Sequence, residues 1–395
     1  MISSEAVRQV VREQKKALVD FTRRLVQTPS PPGQEQDVAR LVAGEMQRLG
    51  YDEVWTDEAG NVIGKINGRG GSTILLNGHM DHVDPGPEEN WPHPPFSGRI
   101  VNDCLWGRAA VDMKGPLACM IYAAAVFKYI GLTPPGDIYM TAAVMEETGG
   151  LGSQHLAQTL SASAAICGEP SRNILRRGHR GRVELEAIFK GRSAHASVPH
   201  LGQNPHYAAA AFLLNLPRLD MPEDPALGRS SVAPTLYRID QSSPNVIPGE
   251  VRLTLDWRNL PVEPPDSIVA RLADLLPTEA QAEVRVVTTE FTTYTGMSRL
   301  FPSIFPAFLL PEDSPYLQAA HRALVDALGR DDGIDVWRFA TDGGHLMQAG
   351  IPTVGFGPGD ERLAHTSQEC ISLPQMEESV VGYVALLQAL AEVGD

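Results

Sequence analysis

The sequence predicts an α/β fold in which a mixed, largely parallel sheet is interrupted by a smaller, ferredoxin-like α+β domain. Three observations carry that expectation. Over the first 176 residues, apolar strand-like runs alternate with helical patterns, as in "STILLNG", "KGPLACMIYAAAVFKYI", "DIYMTAAVMEE" and "AAICGEP". Alternation of this kind builds largely parallel sheets with helices packed on them. From 177 to 295 the order becomes β-α-β-β-α-β, in "GRVELEAIFKG", "NPHYAAAAFLLNL", "SVAPTLYRID", "EVRLTLDWRNL", "PDSIVARLADLL" and "EVRVVTTEF". That order is ferredoxin-like. The alternating style returns over 296–395, with "SPYLQAAHRALVDAL" as a helix, "IPTVGFGPG" as a strand and a last helix from Pro374. The expected organisation is a discontinuous domain of 1–176 and 296–395 around an insert of 177–295.

Taken in order, two helices open the chain over 4–27 and 35–49, separated by the Pro/Gly breaker "TPSPPGQE". "NVIGKING" and "STILLNG" read as strands, with "NGRGGS" as a hairpin turn between them. "GGLGSQH" opens a helix but has His155 where a dinucleotide fingerprint needs its third glycine. No G-x-S-x-G elbow occurs, and Cys119 lies in an apolar helix that reads as core. The basic run Arg176–Arg182, "RRGHRGR", reads as a solvated turn.

Composition narrows the class. At 395 residues and 43% hydrophobic, the chain can bury a full core. A net charge of −15 disfavours a nucleic-acid partner, whose recognition rests on clustered Lys and Arg. No apolar run is read as approaching the roughly 18 residues of a membrane span. The N-terminal stretch "MISSEAVRQVVREQKKALVDF" lacks the apolar core of a secretory signal, and the four cysteines have no paired spacing. The expectation is a cytoplasmic protein with free thiols and no membrane partner.

The ionisable residues then fall in a pattern. "ILLNGHMDHVDPG" runs from an apolar strand into His79, Asp81, His82 and Asp84. A second strand delivers Glu146 and Glu147, a third delivers Glu169, and the loop before the helix at Lys114 carries Asp112. His365 follows a further strand in "AHTSQE". Each has a plainer reading alone: Asp112 as a helix N-cap, Glu146-Glu147 as a solvated helix start, Glu169 as a loop acid. Together they sit beyond the carboxyl ends of strands, where open α/β sheets bind ligands. Converging carboxylates repel and are driven towards protonation unless a cation joins them. His with Asp and Glu suits zinc or a similar divalent metal, and the number of candidates suggests two sites.

The set "GHMDHVD", "GRAAVDMKG", "MEETGG", "GEP", "GRSAHASVPHLGQNP" and "AHTSQE" resembles the dinuclear zinc hydrolases of the acetylornithine deacetylase, succinyl-diaminopimelate desuccinylase and glutamate carboxypeptidase group, across nearly the whole chain. The resemblance implies a catalytic domain with an inserted dimerisation domain and two Zn2+ per subunit, with cobalt or manganese as alternatives at one site. It places His79 and Glu169 on one metal, Glu147 and His365 on the other, and Asp112 between them. Glu146 is the implied general base, and Asp81 the acid that orients His79. His195 in "GRSAHAS" is implied to reach the partner subunit's active site and stabilise an oxyanion. Arg258 and Asn245 are implied to hold a substrate carboxylate, and Gly343 and Gly344 to line the pocket. His82 and Asp84 are taken as loop residues near the rim. Ala109 departs from the family's "GRG", so its loop must adjust if that position needs positive φ.

The implied activity is hydrolysis of an amide in a small N-acyl amino acid or short peptide with a free carboxylate, by a metal-bridging hydroxide, in a homodimer. The alternatives are a dipeptidase or carboxypeptidase of the same family, a metal-binding but non-catalytic peptide binder, and a hydrolase using Cys or Ser.

Overall fold

The computed structural model describes residues 2–393. Ile74, Leu75 and Leu76 lie in the strand Gly71–His79, in the interior of a nine-stranded sheet. This strand pairs in parallel with Gly136–Ala143 on one side and Ala164–Cys167 on the other. Ala164–Cys167 pairs in parallel with Thr353–Gly355. The register places His79 opposite Ala143, Asn77 opposite Cys167 and Cys167 opposite Gly355. The carboxyl ends of these central strands therefore share one edge. Antiparallel strands flank them: Val62–Ile66 and Glu53–Thr56 on one side, Leu175–His179 on the other. The sheet is mixed with a parallel centre, as its strand-helix alternation predicts.

Successive strand side chains face opposite layers. Ile74 and Leu76 pack with the helices Ser4–Val26, Gly115–Ile130 and Leu373–Ala391, whereas Leu75 packs with Leu346 of the short helix Gly343–Gln348. The stretch Ala110–Ile130 corrects one expectation, because it has the length and mean hydropathy of a membrane span. Its most apolar 18-residue window is wholly buried within the protein, so that apolarity serves a helix packed against other helices and the sheet.

The second sheet has the strand order Ser231–Ile239, Glu250–Arg258, Arg182–Lys190, Gln281–Val286, all antiparallel. With the helices Pro205–Asn215 and Pro265–Ala273, this is the predicted ferredoxin-like order. Val251, Leu253, Leu255 and Trp257 turn to the helices while the residues between them face outward. By sheet membership the chain leaves the large sheet at His179 and rejoins it at Phe308, beyond the expected 176/177 and 295/296 crossings.

Two local readings are overturned. "RRGHRGR" is no solvated turn: Arg176 is fully buried in the strand Leu175–His179, donating to Asp335 at 2.5 Å and Glu361 at 3.0 Å. Two carboxylates offset the burial of that guanidinium, and both come from distant chain segments. Nor do Val62–Ile66 and Gly71–His79 form a hairpin, because Gly136–Ala143 inserts between them. A Cβ at Gly136 would lie 1.8 Å from the Ser72 carbonyl oxygen, so only glycine permits that approach.

His179 at the end of its strand yields a test. Its Nδ1–H donates to the Arg180 carbonyl at 2.9 Å and its Nε2 accepts from the Thr341 N–H at 3.1 Å. Burial lowers its pKa to about 4, so the folded chain keeps the ring neutral while the unfolded chain protonates it near the ordinary value. The resulting stability is complete above about pH 6.5 and is lost as pH falls towards 4, up to about 3 kcal/mol. Urea unfolding at pH 7 and pH 4.5 is expected to show a smaller acid loss for His179→Gln than for wild type. Equal losses would refute the assignment.

Candidate metal centre

The sheet edge brings the predicted acids and histidines together. His79 ends its strand with Nε2 3.1 Å from Asp112 Oδ1 and 3.7 Å from Glu169 Oε1. His365 lies across from it, with Nε2 3.2 Å from Asp112 Oδ2 and 3.0 Å from Glu147 Oε1. The two oxygens of Asp112 thus face different histidines. Two groups result, His79–Asp112–Glu169 and Asp112–Glu147–His365, and in each the potential ligand atoms lie within 4.8 Å of one another. Asp112 makes no N-cap to the helix Gly115–Ile130, and Glu146 and Glu169 are buried, so the plainer readings of these three acids do not hold.

The loops that present these groups are bent against local preference. Ala109, Met145 and His365 have φ of +66°, +57° and +62°, a region disfavoured for side chains with a Cβ. Ala109 therefore takes the left-handed conformation that its family position suggested, without a glycine. Buried acceptors hold the second of these loops. Asp81 accepts from the N–H groups of Glu146 at 3.1 Å and Glu147 at 3.0 Å, and Glu35 accepts from the Met145 N–H at 3.2 Å. His79 Nδ1 is 3.1 Å from the Asp81 carbonyl oxygen and 3.4 Å from its carboxylate. The Asp81 main chain is thus the nearer partner of His79, and its carboxylate fixes the Glu146–Glu147 backbone.

Burial drives the pKa of Glu146 and Glu169 well above the usual carboxylate range, with neighbouring acids adding to it. Burial and Asp112 raise Glu147. Asp112 is held low, because against burial it accepts from His365 and His79. Asp112 and Glu147 in turn raise His365 to about 10. The acids and imidazoles share protons in a space where a cation would replace them. Glu169 Oε2 is buried with no hydrogen-bond partner. A buried carboxylate with an unpartnered oxygen, in a group with His79 and Asp112, fits a divalent cation of the zinc type.

Asp112, Glu147, Glu169 and His365 line a cavity of about 380 Å³ that Glu146 also lines. Arg258 stands on its wall, and so does Arg182, which sequence reading missed. The signal was the antiparallel register: Val183 pairs with Trp257, so the next position sets Arg182 beside Arg258. Asp256 accepts from both guanidiniums, at 2.9 Å from Arg182 Nε and 2.6 Å from Arg258 Nε.

Other predicted residues lie elsewhere. His195 and Asn245 sit on neighbouring short segments of the second domain, with His195 exposed and Nδ1 2.7 Å from Ser197 Oγ. Neither lines this subunit's cavity. Gly343 and Gly344 are buried in the first turn of Gly343–Gln348, outside the lining. The close approach at Gly344 is to the Pro306 carbonyl, 2.1 Å from an added Cβ. His82 is buried rather than at a rim: Nε2 accepts from the Ser30 N–H at 2.9 Å, and burial lowers its pKa to about 4. Asp84 is exposed and accepts from the Gly86 N–H.

Residues 75–389 match the family described as Peptidase family M20/M25/M40. The chain is 29% identical over 358 residues to the uncharacterized protein YgeY of Escherichia coli (strain K12), covering 88% of each chain. It is 27% identical over 397 residues to the N-formyl-4-amino-5-aminomethyl-2-methylpyrimidine deformylase of Bacillus subtilis (strain 168), covering 93% of each. The fold is similar to that of the Bacillus subtilis YXEP protein, a dinuclear metal-binding peptidase, with a TM-score of 0.69 at 17% identity over 96% of this chain and 98% of that one. The motifs that resemble the deacetylase and carboxypeptidase group and the match over four-fifths of the sequence lead to one assignment: this chain belongs to peptidase family M20/M25/M40.

Proposed function

We propose that this protein hydrolyses an amide bond in a small N-acyl amino acid or short peptide that carries a free carboxylate. One observation carries the reading: Glu146, outside both metal-fitting groups, shares a cavity with them and with Arg182 and Arg258. Two divalent cations, zinc or zinc with cobalt or manganese, held by His79, Asp112 and Glu169 and by Asp112, Glu147 and His365, would supply Lewis acidity to the scissile carbonyl and to water. Glu146 then takes the proton of the attacking water and returns it to the leaving amine. The paired guanidiniums hold the substrate carboxylate, since the planar fork can bind both oxygens. Phe305 and Phe339 add apolar surface to the lining. The deformylase relative and the YXEP peptidase, named for amide-cleaving activities, support this reaction class.

Among the described residues, the cavity lining includes no histidine outside the cation groups, and His195 is exposed on the second domain. Ser231–Ile239 is the edge strand of its sheet, paired on one side with Glu250–Arg258, with Leu236, Tyr237 and Ile239 exposed. Exposed apolar edges are sites of strand pairing. A homodimer formed there, with His195 of one subunit serving the cavity of the other, accounts for both features. Free thiols and net negative charge support a cytoplasmic setting without nucleic acid. A non-catalytic peptide binder would have no use for Glu146 beside the cation groups.

Hydrolysis of a panel of N-acetyl, N-succinyl and N-aminoacyl amino acids is the primary test. Turnover is expected with zinc and absent after chelation; chelator-resistant turnover would point instead to a Cys or Ser nucleophile. Glu146→Gln should lower kcat by roughly 10²- to 10⁴-fold while zinc uptake persists, and full turnover in that variant would defeat the mechanism. Mixing inactive His195→Ala with Glu146→Gln should restore activity through hybrid dimers; no recovery counts against a shared site. Arg258→Ala should raise KM for carboxylate substrates by roughly tenfold or more, with little change for carboxamide analogues. An equal effect on both would remove Arg258 from carboxylate recognition.

A further inference from the structure

The loop presenting Asp112 is held by a buried acid outside the set recognised in the sequence. One carboxylate oxygen of Glu369 accepts from the N–H groups of both Val111 at 2.9 Å and Asp112 at 3.0 Å. The other accepts from Arg108 Nη1 at 2.6 Å, and that guanidinium is buried too. The Glu369 carbonyl accepts from the Gly107 N–H at 3.1 Å, and Arg108 Nη1 also reaches the Thr366 carbonyl at 3.4 Å. Residues 365–369 are thereby tied to residues 107–112. Both segments issue from one ladder, in which Cys370 faces Trp106.

The two segments carry His365 and Asp112, and each contains a left-handed non-glycine residue, His365 itself and Ala109. Such conformations persist only where the surroundings over-determine them. A buried ion pair alone is weak evidence for stability, because apolar pairs of similar volume often replace one without loss. What Glu369 adds is an acceptor for two buried N–H groups flanking the Asp112 backbone. No apolar side chain can supply that.

We propose that Glu369, with Arg108 as its counter-ion, is a positioning residue that sets the placement of Asp112 relative to His365 and so the affinity of the cation site between them. This rests on the two-cation reading above. Ligand distances around zinc are confined to about 2.0–2.2 Å for nitrogen and oxygen donors, so a small drift of Asp112 costs affinity. Partners that orient metal ligands are worth roughly 10- to 100-fold in affinity.

The test compares wild type, R108M/E369Q and R108M/E369M by zinc stoichiometry and affinity in competition with a chromophoric chelator, beside the melting temperature of the metal-free proteins. Both double variants remove the buried charges, but only glutamine can still accept from Val111 and Asp112. R108M/E369M is expected to lose roughly 10- to 100-fold in affinity for one of two zinc ions, and R108M/E369Q to recover it. If R108M/E369M melts below the assay temperature, E369D replaces it: the charge opposite Arg108 stays, the acceptor retreats by one methylene, and the same zinc site should weaken. Equal affinities in the variants and wild type, or equal losses in the methionine and glutamine variants, would overturn the positioning role alone. A wild-type chain that binds no zinc would overturn the two-cation reading and this proposal with it.

Discussion

The crowding of carboxylates at one sheet edge is the constraint to which the rest of the structure answers. Asp112, Glu146, Glu147 and Glu169 meet His365 in one cavity, with His79 grouped beside Asp112 and Glu169. Burial removes the water that would screen them, so their mutual repulsion acts in a weakly polar space. Asp112 relieves part of it by facing His79 with one oxygen and His365 with the other. Glu169 keeps a buried oxygen without any partner. Such an arrangement is costly as a resting protein and well suited to cations.

Holding the groups there is the work of backbone hydrogen bonds rather than helix or sheet continuation. Met145 and His365 leave regular structure through left-handed conformations, and Ala109 does so just before Asp112. At two of these departures buried carboxylates accept the loop N–H groups: Asp81 and Glu35 for the Glu146 loop, Glu369 for the Asp112 loop. Acids that bind no cation are thus spent on orienting the acids that can. The same division explains why His82, two positions from Met80 in a polar burst, is an interior hydrogen-bond acceptor and no ligand.

The second domain supplies the opposite charge. Its outer sheet face places Arg182 and Arg258 side by side across the cavity, with Asp256 between them to offset their repulsion. Acids and guanidiniums thus line the same cavity.

The sequence by itself determined the fold class and most of the centre, because both are written in local patterns. Strand-helix alternation and a β-α-β-β-α-β run depend on periods of a few residues, and acids at strand ends are visible as soon as the strands are. What the tertiary structure decided depends on neighbours far apart in the chain. Arg176 and the run around it look solvated until Asp335 and Glu361 arrive to bury it. The hairpin expected around "NGRGGS" gave way to an inserted strand, since pairing order is not encoded in the turn alone. Ala110–Ile130 has a span's apolarity because other helices and the sheet bury most of it, a fact absent from its own residues. Arg182 and Glu369 were invisible for the same reason: each gains its meaning only from a partner strand or loop that folding brings within 3 Å.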